Sequence, residues 1–298
     1  GLIGRHADVE ARIAEVIEAA EKEPEPSAAI RLLQQLHAAP IDPELLGAAV
    51  ARIRDAGVTT AVRVSPQNAQ ALTPILVSAG IDLLVIQGTI ISAERVASDG
   101  EPLNLKTFIS ELDVPVVAGG VLDHRTALHL MRTGAAGVIV GYGSTSGATT
   151  SDEVLGISVP MATAIADAAA ARREYLDETG GRYVHVLADG DIHSSGDLAK
   201  AIACGADAVV LGTPLAVSAE ALGGGWFWPV AAAHPSLPRG ALLQVAVEER
   251  PSLDQVLNGP SDDPFGSLNL VGGLRRSMAK AGYCDLKEFQ KVGLTVDR

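Results

Sequence analysis

Three short stretches are rich in glycine and small polar residues, and the first carries the residue types that hold anions. Residues 143–150 read Gly-Ser-Thr-Ser-Gly-Ala-Thr-Thr, residues 189–197 read Asp-Gly-Asp-Ile-His-Ser-Ser-Gly-Asp, and residues 212–216 read Gly-Thr-Pro-Leu-Ala. Glycine lets backbone N–H groups come close to a ligand, and hydroxyls donate to its oxygens, so the first stretch suits an anion cradle and the other two read as small-residue loops. The first stretch contains no thiol, imidazole or carboxylate. Any reaction beside it needs a reactive group supplied from elsewhere in the chain.

The elements that would position these stretches repeat. Residues 78–88, 132–143 and 203–213 each run helix end, Gly, short residues, four apolar residues, Gly. The first glycine of each (Gly80, Gly134, Gly205) suits a left-handed helix cap, and the apolar run suits a strand buried on both faces. Residues 58–64, 114–120 and 183–190 are further strand-like runs. Ser65-Pro66, Asp42-Pro43 and Asp123 read as helix starts. Strands alternating with helices imply parallel βαβ units, either an open doubly wound sheet or a closed barrel lacking two strands. Small-residue loops after the last three strands favour the barrel, because a barrel's phosphate site is commonly built after strands 7 and 8. The expected fold is therefore an α/β (β/α)8 TIM barrel whose first visible strand is strand 3. Residues 1–4 would then be the tail of strand 2, with the first-strand region missing from the N-terminus. A single barrel domain is expected over 1–298, with an irregular C-terminal segment over 223–298 that includes a terminal amphipathic helix.

Composition narrows the function. A formal net charge of −13 argues against nucleic acid as a main partner, since counterion release needs a basic face. No apolar run approaches the roughly 18 residues of a membrane helix, so no membrane association is expected. Cys204 and Cys284 are the two cysteines and form no disulfide framework, which fits a reducing cytoplasm. Cys204 ends a helix pattern and reads as an inert thiol, and Cys284 as structural. His124 and His129 lack a cluster of metal-ligating neighbours. Trp226-Phe227-Trp228 suits packing or a subunit contact.

Together, residues 141–169, 188–216 and 270–289 resemble the IMP dehydrogenase/GMP reductase family, in its motif order and spacing. The resemblance spans about residues 58–290. It implies a (β/α)8 barrel that binds a purine nucleoside monophosphate, uses NAD, assembles as a homo-oligomer (a tetramer) and belongs to GMP biosynthesis. The one metal ion it admits is a monovalent cation. About two helices separate residues 1–20 from the strand at 58–64, so no CBS insert is present, and the chain is most similar to the CBS-less bacterial paralogues.

Carried over residue by residue, the resemblance implies that Gly143, Ser146, Gly190, Gly212 and Thr213 hold the phosphate. It assigns Asp189 to the ribose hydroxyls. The alternative reading makes Ser146 and Thr213 turn formers and Asp189 a helix N-cap. Thr150 keeps its family identity. Ala148, by contrast, stands where the family carries the cysteine that attacks the purine, and a methyl group is no nucleophile. Asp191 replaces a phosphate-binding glycine, and a carboxylate about 4 Å from phosphate costs on the order of 4 kcal/mol per unit charge at a dielectric near 20. A solvated loop carboxylate is the alternative reading there. The family's flap Arg–Tyr dyad has no tyrosine between Tyr183 and Tyr283, which leaves Arg250 alone. Gln87 stands where the cofactor would meet an aspartate, and Gly120 where the family has an asparagine. Three readings stay open. One is an NAD-linked oxidoreductase lineage with lost or altered chemistry, and another a non-catalytic nucleotide-binding, scaffolding or regulatory paralogue. The third is a different phosphate-binding barrel oxidoreductase, for instance one loaded with flavin.

Overall fold

Six parallel strands, hydrogen-bonded strictly in chain order, form one sheet. They are β1 (Ala61–Val64), β2 (Leu83–Gln87), β3 (Val116–Val121), β4 (Gly137–Val140), β5 (His185–Ala188) and β6 (Ala208–Val209). A computed structural model of the chain describes residues 1–22, 27–88, 103–143, 159–190, 192–228, 242–245 and 249–295. Neighbouring order without a reversal is barrel topology, since a doubly wound sheet would turn back at a switch point. The described strands form a partial (β/α)8 barrel.

Alternation along β2 shows which face is which. Leu84 and Ile86 are completely buried, whereas Leu83, Val85 and Gln87 are half-buried on the opposite face. Register then carries one level across the sheet, from Gln87 to Gly119, Ile139, Leu187 and Ala208. The middle strands β3 and β4 are buried at every position, as expected of strands covered on both faces.

Helices return the chain between strands. They include α1 (Val9–Lys22), α2 (Ser27–Ala38), α3 (Pro43–Asp55), α4 (Ala69–Ser78), α5 (Leu105–Ser110) and α6 (His124–Arg132). After β4 come α7 (Met161–Glu178), α8 (Ser195–Ala203), α9 (Thr213–Ala216), α10 (Leu253–Asn258), α11 (Leu270–Ala281) and α12 (Leu286–Phe289). The sequence places most starts correctly. Asp42 accepts from the amides of Glu44 and Leu45, and Asp123 from that of Thr126. Gly80, Gly134 and Gly205 all take positive φ after their helices. The Ser65-Pro66 start is corrected: α4 begins at Ala69, because Ser65 to Asn68 close a turn in which the Asn68 amide donates to the Ser65 carbonyl at 3.0 Å. The tail, expected to be irregular, contains a two-stranded antiparallel pair, β7 (Trp226–Phe227) with β8 (Leu243–Gln244).

Two apolar clusters form. The larger fills the space between the sheet and its helices. A smaller one joins α1 and α2 through Val16, Ala20, Leu33 and Leu36, with Trp226 and Trp228 packed against it. The tryptophans therefore do pack within the chain.

His37 sits at the edge of this smaller cluster, 6% exposed. Its Nδ1 meets the Leu33 carbonyl at 2.9 Å, and its buried Nε2 has no partner among the described residues. Burial, with Arg5 and His6 nearby, holds its pKa below the ordinary 6.5. The unfolded chain therefore takes up the proton first, and stability falls as pH drops below 6.5 while staying flat above it. Thermal unfolding at pH 7.5 and pH 5 checks this. Wild type should lose more stability on acidification than His37→Leu does, and parallel losses would refute it.

Candidate functional site

The C-terminal ends of β4, β5 and β6 converge on one mouth. The Asp189 amide donates to the Val140 carbonyl at 2.8 Å, the Val210 amide to Ala188 at 2.8 Å, and the Gly141 amide to Val121 at 2.9 Å. Beyond the strand ends, the Gly143 amide donates to the Asp189 carbonyl at 2.9 Å, which ties the loop after β4 to the loop after β5. Gly141 makes that approach possible. Its φ is +88°, and a Cβ there would stand 2.3 Å from the Asp189 carbonyl oxygen. Met161, the first residue of α7, packs its sulfur over both Gly141 and Gly190. Gly143, Asp189 and Gly190 are thus brought together. Gly212 leaves the next strand as the cap of α9, and Thr213 opens that helix. Gly212 is exposed, with open space where a side chain would be. Ser146, Ala148, Thr150 and Asp191 lie outside the described residues.

Asp189 is 7% exposed, and it is not a helix cap. That role belongs to Ser194, whose hydroxyl accepts from the Asp197 amide in a capping box. Asp189 instead faces the mouth. Gln87, at the end of β2, donates from Nε2 to Asp189 Oδ2 at 2.5 Å. Gln87 Oε1 in turn accepts from Arg63 Nη1 on β1 at 3.2 Å. On the intervening strands, Gly119-Gly120 near the end of β3 and Gly141 directly after β4 carry no side chain that could stand between Gln87 and Asp189. Burial pushes the Asp189 carboxyl above its ordinary value, while the Gln87 bond and the Arg63 charge oppose that rise. Arg63 was not legible as a site residue. Its only signal is a lone charge inside the β-type run at 58–64.

The opposite end of the strands carries a different network. Asp207, just before β6, accepts from Arg172 Nη1 at 2.6 Å, Tyr183 Oη at 2.6 Å, the Val186 amide at 2.8 Å and Lys287 Nζ at 2.6 Å. Lys287 also bonds the Tyr183 hydroxyl. These donors come from α7, the approach to β5, β5 itself and α12, so the carboxylate fastens the tail to the barrel floor. Arg250 is likewise occupied, donating to the carbonyls of Ser218 and Ala221. Cys204 is half-buried at the end of α8, where burial raises its thiol pKa, and Cys284 is exposed. Neither is placed at the mouth by the elements that carry it. Among the described residues no group of three or more His, Cys, Asp or Glu could hold a metal ion, and no helix is long and apolar enough to cross a membrane.

A partial (β/α)8 barrel with a buried carboxylate and glycine loops at its strand exits defines the class. Comparison with known proteins gives the lineage. The model of the IMP dehydrogenase / GMP reductase domain matches residues 2–229, and the chain belongs to that family. A Mycolicibacterium smegmatis protein described as an uncharacterized oxidoreductase is 94% identical over 296 residues, 99% of this chain and 79% of its own length. The inosine-5'-monophosphate dehydrogenase of Aquifex aeolicus is 35% identical over 232 residues, 72% of this chain and 44% of its own length. Among solved structures, an IMP dehydrogenase/GMP reductase-like protein from Corynebacterium glutamicum superposes with a TM-score of 0.92 at 59% identity, covering all of this chain and 77% of that one.

Proposed function

We propose that the mouth binds a purine nucleoside monophosphate and that the chain lacks the family's covalent chemistry. The observation that carries the reading is the buried Asp189 carboxylate, set at the strand exit beside Gly143 and Gly190. A carboxylate is an acceptor only, which suits the two hydroxyls of a ribose, and glycine amides suit a phosphate. Ala148, at the position the family gives its nucleophile, offers a methyl group.

NAD fits the described residues poorly. Gln87 stands at the strand end where the cofactor would meet an acceptor, yet its amide already serves Asp189 and Arg63. Oxidoreductase activity is nevertheless the competing reading, and it is favoured by relatives described as an oxidoreductase and as an inosine-5'-monophosphate dehydrogenase.

Calorimetric titration with IMP, XMP and GMP, alongside NADH absorbance with IMP and NAD, separates the readings. Binding of at least one nucleotide with no NADH formed is expected. Sustained NADH formation would overturn the loss of chemistry, and silence toward all three nucleotides would overturn the nucleotide site.

A further inference from the structure

We infer that Arg63 is a positioning residue, which through Gln87 fixes Asp189 as a hydrogen-bond acceptor toward a hydroxyl-bearing ligand. The argument begins with an ambiguity of shape. A glutamine amide has a donor end and an acceptor end of nearly equal size, and either could face Asp189. A guanidinium removes the choice, because it can only donate. With Arg63 Nη1 at 3.2 Å, Gln87 must turn its carbonyl to Arg63, which leaves its N–H₂ for Asp189 at 2.5 Å. An N–H donor at that distance favours the ionised carboxylate over the protonated one.

Burial pulls the other way. A carboxyl at 7% exposure, with the rise in pKa that burial causes, can take a proton and become a donor itself. If Gln87 flipped, its carbonyl would accept that proton and stabilise the neutral form. The directed chain from β1 through β2 to β5 blocks this outcome. Arg63 does so from an exposed position at the barrel mouth, where its own charge stays solvated. The charge acting on Asp189 among the described residues is that of Arg63, and Gln87 is the neutral group between them.

The inference rests on the proposed function for the identity of the ligand, a ribose diol, but its test can be read without ligand. In protein carrying ¹³C-carboxyl aspartate, the Asp189 signal is assigned by its loss in Asp189→Asn, and its midpoint is followed with pH. Arg63→Met should raise the midpoint by about one unit, and Arg63→Lys, which keeps a donor and a charge, by less. In a Gln87→Leu background the effect of Arg63→Met should largely vanish, because the relay is already cut. An unchanged midpoint in Arg63→Met would overturn the inference. So would an undiminished shift in the Gln87→Leu background, since Arg63 would then act through space alone. A second readout follows if nucleotides bind. The preference for a ribonucleoside over a 2′-deoxyribonucleoside monophosphate should fall roughly tenfold in Arg63→Met, about one hydrogen bond. Failure of all nucleotides to bind would sink the proposed function and leave the midpoint test standing.

Discussion

Asp207→Ala is expected to lower the unfolding free energy by about 3–5 kcal/mol, the loss that follows when one partner of a buried ion pair is removed. Side-chain exposure is 10% for Asp207 and 9% for Arg172, so deletion strands a guanidinium where water cannot replace the carboxylate. The Val186 amide and the Tyr183 hydroxyl lose their acceptor as well, and Lys287 loses the anchor that holds α12 down. Urea unfolding of the two proteins measures the difference, and a loss under about 1 kcal/mol would show the network to be solvated like a surface pair.

The same carboxylate predicts an acid limit. Burial alone would raise the Asp207 pKa, but the bonds from Lys287, Tyr183 and Val186 and the Arg172 charge bring it down to about 2 from 3.8. A carboxyl with a depressed folded pKa stabilises fully above its unfolded value and loses that contribution as pH falls through its folded value. Its contribution is therefore complete above pH 4 and disappears between about pH 4 and 2. Asp207→Ala should flatten the acid limb of a stability–pH curve in that window and nowhere else.

Gly141→Ala is expected to cost about 3 kcal/mol and to abolish ligand binding at the mouth. Two effects add. A non-glycine residue at φ +88° costs roughly 1–2 kcal/mol in the left-handed region, and forced overlap in a packed site costs about 1–3 kcal/mol. The overlap is with backbone, the Asp189 carbonyl at 2.3 Å, which no rotamer change relieves. Moving that carbonyl displaces the Asp189 side chain and the Gly143 amide bonded to the same oxygen. Gly143→Ala is the control, since its φ is +105° but among the described residues nothing lies within 4 Å of its Cβ position. It should cost only the backbone penalty. Equal losses in the two variants would show that the approach of β4 to β5 is not what makes Gly141 necessary.

Much of the fold was legible because parallel strands buried on both faces leave a strong local mark. The four-residue apolar runs, the glycines that end the helices before them and the acidic caps at Asp42 and Asp123 all depend on neighbours within a few residues. Ser65 misled because a serine before a proline forms a turn as readily as a cap, and only the geometry distinguishes them. The β7–β8 pair was invisible for a related reason. Two-residue strands have no periodicity to read, and they form through contacts that reach across unrelated segments.

The sequence by itself determined residue types and their order: glycine-rich stretches directly after apolar runs, Asp189 in the second of them and Ala148 in the first. These are properties of residue type and order, which the chain carries whether folded or not. Only the tertiary structure decided what Asp189 meets. Its partner Gln87 lies 102 residues away, and Arg63 is on a third strand, so no local pattern connects them. Curling the sheet brings β1, β2 and β5 around one mouth and closes a hydrogen-bonded chain whose direction is set by a group that can only donate.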